Sequence, residues 1–278
     1  MLRRREFVAL AAAAPALGAP AARLDSVRTR RAGKVETVFK SPGPKPNGLQ
    51  ATRDGLWIID QGDNRAYLVS YENGKVLRAL DTEADRASGI TFDGEAIWLA
   101  STYSREIVRS DAQSGKTITK YFTPGAGVIY KMAGDPAPRS SPLLKPSGEP
   151  RPARKQSGGL PDPRTPGTGA HGLEMKDGKL WVAVPPSRSI YRIDPKTWTV
   201  ELAFPTAANR PHGVGWEGKY FWCTDSNLNA FFKHDPDSGE IVEKIQLADS
   251  DPLPHGMTIW QGMMWYCDDV GVVCRLKL

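Results

Sequence analysis

The sequence is poor in the residues that most often mark a site: its 278 residues hold three cysteines and four histidines. Three cysteines cannot build a disulfide framework, and Cys223, Cys267 and Cys274 show no C-x-x-C spacing. They are expected as small buried hydrophobes, with a single disulfide as the alternative. Long apolar runs are also missing beyond the first 22 residues, so no later segment is expected to cross a membrane. Neither sign of charge dominates, with 37 Lys and Arg against 31 Asp and Glu. No basic cluster alternates with aromatics, which makes nucleic acid a poor partner.

The first 22 residues, MLRRREFVALAAAAPALGAPAA, stand apart. A basic start, about a dozen apolar residues and A-x-A sites at Ala14–Ala16 and Ala19–Ala21 describe a secretory signal. Arg4-Arg5-Glu6-Phe7-Val8 fits the twin-arginine pattern, which implies a bacterial protein exported already folded, to the periplasm or beyond. An ordinary secretory signal with three arginines is the alternative. Losing Arg3, Arg4, Arg5 and Glu6 lowers the formal net charge from +6 to +4. Residues 23–278 are expected to form a single domain.

What is abundant is repetition. One phrase recurs as NGLQATRDGLWIID from Asn47, SGITFDGEAIWLAS from Ser88, HGLEMKDGKLWVAV from His171, HGVGWEGKYFWCTD from His212 and HGMTIWQGMMWYCDD from His255. Each copy is a polar residue and glycine, a short apolar strand, a glycine turn and a second strand. That second strand carries an aromatic, aligned as Trp57, Trp98, Trp181, Phe221 and Trp265. A second hairpin follows, closed by turn pairs such as Asn73-Gly74, Ser114-Gly115 and Ser238-Gly239. Four antiparallel strands in about 41 residues describe a β-propeller blade.

The last copy stops after its third strand, and KVETVFK (Lys34–Lys40) can supply the fourth, closing the ring and hiding its edges. The repeat glycines at 48, 89, 172, 213 and 256 leave one doubled step. It spans residues 124–170, where ten of the 23 prolines lie, and proline removes donors that a central strand needs. The reading is an all-β propeller of five four-stranded blades with a long proline-rich inserted loop; six blades, one degenerate, is the alternative.

First strands line the channel of a propeller, so the phrase predicts His171, His212 and His255 on neighbouring blades at one rim. Three imidazoles on an arc suit a divalent metal, zinc first, with bonds of roughly 2.0–2.1 Å and an open position for water or substrate. Channel histidines without a metal, or in direct contact with substrate, are the competing readings. Asp225 and Asp269 close the second strands nearby and are candidates to fix a ligand tautomer or to move a proton. Tyr103 and Arg105 follow the second strand of blade two and are candidate contacts for a developing negative charge. The insertion should emerge on the same face, with seven basic residues against Asp135, Glu149 and Asp162, as a lid suited to an anionic substrate; a disordered segment without a role is the alternative. Cys223 and Cys267 align with Ile59, Ala100 and Ala183, as packing residues between blades.

The H-G-[IVLM]…D/E-G…L-W phrase resembles that of the virginiamycin B lyase-like and gluconolactonase/strictosidine-synthase-like propellers, over nearly all of the chain after residue 22. That resemblance implies a metal or charged site at the channel mouth and lyase or hydrolase work on esters and lactones. The acidic metal ligands of those families have no counterpart here. Three histidines instead resemble the zinc centre of the peptide-amidating lyase propeller, and STYSREIVRSD is similar to a stretch of glutaminyl cyclase propellers without its glutamate. The expectation is an exported, metal-dependent lyase or hydrolase acting on a small ester, lactone or peptide-like molecule. A noncatalytic ligand- or protein-binding propeller is the alternative, and a copper redox protein at the same histidines a third.

Overall fold

The computed structural model describes residues 24–144 and 167–278; the segment expected to be a signal, 1–22, and the insertion's centre at 145–166 lie outside the described residues. Each phrase and its following hairpin form one antiparallel sheet. Blade one uses Pro46–Thr52, Gly55–Asp60, Arg65–Val69 and Val76–Asp81; blade two uses Gly89–Phe92, Ala96–Ser101, Glu106–Asp111 and Thr117–Phe122. Blade three runs through Gly172–Lys176, Lys179–Val184, Ser189–Asp194 and Thr199–Pro205, and blade four through Pro211–Glu217, Tyr220–Asp225, Ala230–His234 and Ile241–Gln246. Blade five consists of Met257–Trp260, Met263–Asp268 and Val272–Lys277, with Glu36–Lys40 paired antiparallel to the last. The N-terminal strand therefore closes the ring.

The phrase folds this way for local reasons. Asp177-Gly178 and Gln261-Gly262 are two-residue loops with both φ values positive, the backbone that a tight hairpin with right-handed twist requires. Apolar residues of the strands then pack between neighbouring sheets. Trp57 joins blades one and two, Trp98 blades two and three, Trp181 blades three and four, and Trp265 blades five and one. Register corrects one expected equivalence. Trp222, opposite Gly215, takes the place of Trp57 opposite Gln50, while Phe221 lies one residue earlier. Cys223 likewise pairs with Val214, as Ile58 does with Leu49, so it does not share the position of Cys267. All three cysteines are free and buried.

The repeat glycines meet around the axis. A Cβ on Gly48 would stand 2.8 Å from the carbonyl oxygen of Ser88, one on Gly89 2.9 Å from that of His171, and one on Gly256 2.6 Å from that of Asn47. Gly172 and Gly213 press still closer on His212 and on Gly256–Met257. Five inner strands thus touch in a closed circle, which only residues without a side chain allow. Blades two and three are direct neighbours, so a sixth blade has no place between them. The described ends of the insertion contribute one bridge, Gly127 to Thr168.

One strand was not anticipated. Thr29–Arg31 runs parallel to Ile241–Gln246 and covers the outer edge of blade four, with Arg30 2.6 Å from Glu243. Residues 130–141 form a strap over blades three, four and five. Arg188 grips Asp135 through both terminal nitrogens at 2.6 Å, the Arg139 amide donates to Asn227, and Ser141 donates to Asp268 at 2.6 Å. Among the described residues no helix is long and apolar enough to cross a membrane.

Candidate active site at the histidine mouth

The residue before each repeat glycine stands at the same level of the ring, which places Asn47, Ser88, His171, His212 and His255 in a circle. The three histidines form a row. His171 and His212 have ring centroids 4.7 Å apart and His212 and His255 4.8 Å apart, each pair edge to face.

The tautomer of His212 follows from its neighbours. Ser226 donates its only hydroxyl proton to the Pro254 carbonyl at 2.6 Å. The Ser226 oxygen and the Arg210 carbonyl both lie against His212 Nδ1, at 3.2 and 3.1 Å, so Nδ1 carries the proton. The lone pair of Nε2 therefore points at His171 Nδ1, 3.2 Å away. If His171 donates there, its own buried Nε2 holds an unsatisfied lone pair, since that atom has no partner among the described residues. The other tautomer sets two lone pairs face to face. Either way the pair has unused capacity for a proton or a cation.

All three rings are neutral at pH 7. Burial holds His171 down at about 3, with help from the Arg210 charge, and places His212 well below the ordinary imidazole value. His255 is brought to about 4 by burial and the Arg210 charge, against the pull of Asp269. Its Nε2 lies 3.7 Å from Asp269 and 3.3 Å from the Arg210 guanidinium.

The carboxylates divide into two kinds. Asp225 accepts the backbone N–H groups of Arg210, Asn227 and Leu228, and no ring N–H. Asp60 accepts those of Lys45, Gly62 and Asp63 at the same relative positions, and Asp268 those of Leu253 and Val270. In blade two Ser101 takes the Asp85 N–H instead. This is a repeated clamp that ties the entering loop to the end of the second strand in blades one, two, four and five. Burial raises Asp225 and Asp268 to about 6, with the backbone donors opposing. Asp269 is outside this pattern and reaches the mouth.

Tyr103 is an exposed residue under the Arg86 guanidinium, 4.9 Å from its ring centre. Arg105 forms the neck of the insertion: its carbonyl accepts the Thr123 N–H, and Gly169 packs on its backbone. Among the described residues no hydrogen bond or ring contact joins either to the histidine row. Arg210 and Ser226 do touch it and were not anticipated. A signal existed for Arg210, because Lys45 and Arg86 also stand two residues before the polar-glycine pair.

Two donor sets could hold a metal. His171 Nδ1 and His212 Nε2 are separated by 3.2 Å, close to the spacing that two bonds of roughly 2.0–2.1 Å to one ion require. His255, Asp268 and Asp269 present ligand atoms that all lie within 4.8 Å of one another, although Asp268 already accepts three hydrogen bonds.

The fold has solved counterparts. A glutaminyl cyclase from Myxococcus xanthus superposes with a TM-score of 0.60 at 10% identity, over 90% of this chain and 98% of that one. The chain shares its propeller fold. A streptogramin B lyase (17% identity, 88% and 97% covered, TM-score 0.49) and a virginiamycin B lyase from Staphylococcus aureus (19%, 86% and 68%, 0.47) are similar at a looser level that carries no further argument. No protein-family model and no curated protein matches the sequence.

Proposed function

We propose that the chain is an exported, metal-dependent lyase or hydrolase that acts on a small ester, lactone or peptide-like molecule at the histidine mouth. The observation that carries this reading is the His171–His212 pair: two neutral imidazoles, His212 buried and His171 half-buried with its Nε2 enclosed, whose facing nitrogens lie 3.2 Å apart with capacity to spare. Export rests on the pattern of residues 1–22.

His171 and His212 would hold the ion, zinc first, with His255 alongside. When bound there, the ion supplies Lewis acidity toward a substrate oxygen. Ser226 and the Arg210 carbonyl orient the His212 ring, as outer partners of ligand histidines do. Asp269, whose carboxylate is not tied into a backbone clamp, is better placed than Asp225 to move a proton beside His255.

The test is metal content of the mature, untagged protein, compared with His212→Ala and with the triple alanine variant of His171, His212 and His255. The expected result is about one ion per chain, lost in both variants together with activity on esters or lactones. Unchanged metal content in His212→Ala would sink the reading. The rival is a noncatalytic binding propeller, favoured by Ile129, Tyr130 and Met132 standing exposed on and beside the strap. It expects no stoichiometric metal.

A further inference from the structure

Arg210 holds a positive charge in the wall of the mouth that Asp269 and Asp225 act on without touching it. Its Nη2 donates to His255 Nε2 at 3.3 Å and its Nη1 to the Arg139 carbonyl at 3.4 Å, two long bonds to uncharged acceptors. Each of those nitrogens carries a second N–H. Among the described residues no carboxylate oxygen comes within 4.0 Å of the guanidinium. Asp225 is near, but both its oxygens receive backbone N–H groups, one of them from Arg210 itself. Asp269 turns to His255. The Arg139 side chain points away to Asp249 and leaves only its carbonyl.

Arg210 is half-buried, and drawing a cation out of water without a carboxylate in contact is costly unless a partner supplies it. Burial does work against the charge of Arg210, yet a guanidinium cannot lose its proton at physiological pH. At His255 the positive charges of Arg210 and Lys45 are opposed by the carboxylate of Asp269. The planar guanidinium matches a carboxylate with two parallel bonds. A small molecule held there would lie against His255 and next to His212.

We infer that Arg210 is the anchor for a carboxylate group of the small-molecule ligand taken at the mouth. The inference deepens the reading of the mouth as an active site, because it names an anionic substrate class for it. It also stands on different residues from the metal.

The probe is acetate, with acetamide as its uncharged isostere, titrated calorimetrically at pH 7 and low salt. Wild type should bind acetate and not acetamide. Arg210→Gln should weaken acetate by ~10-fold or more, the scale of a lost charged hydrogen-bond pair. Arg210→Lys, which keeps the charge and loses the fork, should fall between the two. His212→Ala should still bind acetate. Equal affinity of wild type and Arg210→Gln, or equal binding of acetate and acetamide, would overturn the inference. Should circular dichroism show Arg210→Gln unfolded, Arg210→Lys decides, and wild-type affinity in it would overturn the inference too. Acetate binding lost in His212→Ala but kept in Arg210→Gln would place the anion on the metal, which overturns this inference and supports the metal reading. Acetate binding through Arg210 in a protein without metal does the reverse.

Discussion

Gly89 lies so close to blade three that a methyl group on it would stand 2.9 Å from the carbonyl oxygen of His171. One contact thus fixes two things: blades two and three are neighbours, and the backbone of the first histidine of the row is held against the inner strand of blade two. The same approach recurs at each blade junction, and at Gly213 it is tighter, against Gly256 and the Met257 nitrogen.

Gly213→Ala should therefore cost more than about 3 kcal/mol of stability, since backbone of a neighbouring blade cannot move aside. Gly33→Ala meets nothing within 4 Å and is the control, expected near neutral. Urea denaturation of both variants checks this; a mild Gly213→Ala would mean that the ring is loose.

The clamp made by Asp225 predicts a structural phenotype. Asp225→Asn turns one acceptor into a donor that faces backbone N–H groups, and should lose about 2 kcal/mol or more. Asp60→Asn, in a blade without a histidine, should lose a similar amount. Unequal losses, or an Asp225→Asn variant of full stability and no activity, would restore a chemical role to Asp225.

Glu174 sets a pH dependence. It is buried on the inner strand of blade three, the Gln50 side chain is its hydrogen-bond partner, and burial raises it to about 8 from an ordinary 4.5. The folded state holds this proton more tightly than the unfolded chain, so its contribution is full below about 4.5 and is lost as pH rises toward 8. Melting curves should show wild type losing on the order of 1 kcal/mol per pH unit in that window relative to Glu174→Gln. A constant difference between the two proteins from pH 5 to 8 would refute it.

The strap depends on Arg188, which donates to both Asp135 oxygens and to the Tyr130 carbonyl. Arg188→Ala leaves the Asp135 carboxylate without its counter-ion. Hydrogen exchange of 130–141 should quicken by about ten-fold or more while blade one is unchanged. No change would show that Ser141 and Arg139 suffice to hold the strap.

Much of this was legible in advance. Period, blade number, the closing strand at Lys34–Lys40 and the level shared by the three histidines all follow from spacing, because a blade is a local unit whose turns and strands are written in consecutive residues. Errors of one residue were not visible: Phe221 and Trp222 are both aromatic, and only pairing with Gly215 shows which of them is equivalent to Trp181. Asp225 read as a chemical group because its acceptors face backbone of a loop fifteen residues earlier, and backbone donors leave no mark in a sequence. Arg210 passed unnoticed because a basic residue in a loop is ordinarily solvated; here the strap carbonyl of Arg139 and the ring of His255 hold it half-buried.

By itself, then, the sequence determined a closed ring of five blades, since a repeated glycine leaves inner strands free to touch and a detached first strand completes the last sheet. Tertiary structure alone decided which polar groups share the mouth. Those partners come from different blades and from the strap, and their distances depend on how the ring closes around its axis, which no local pattern encodes.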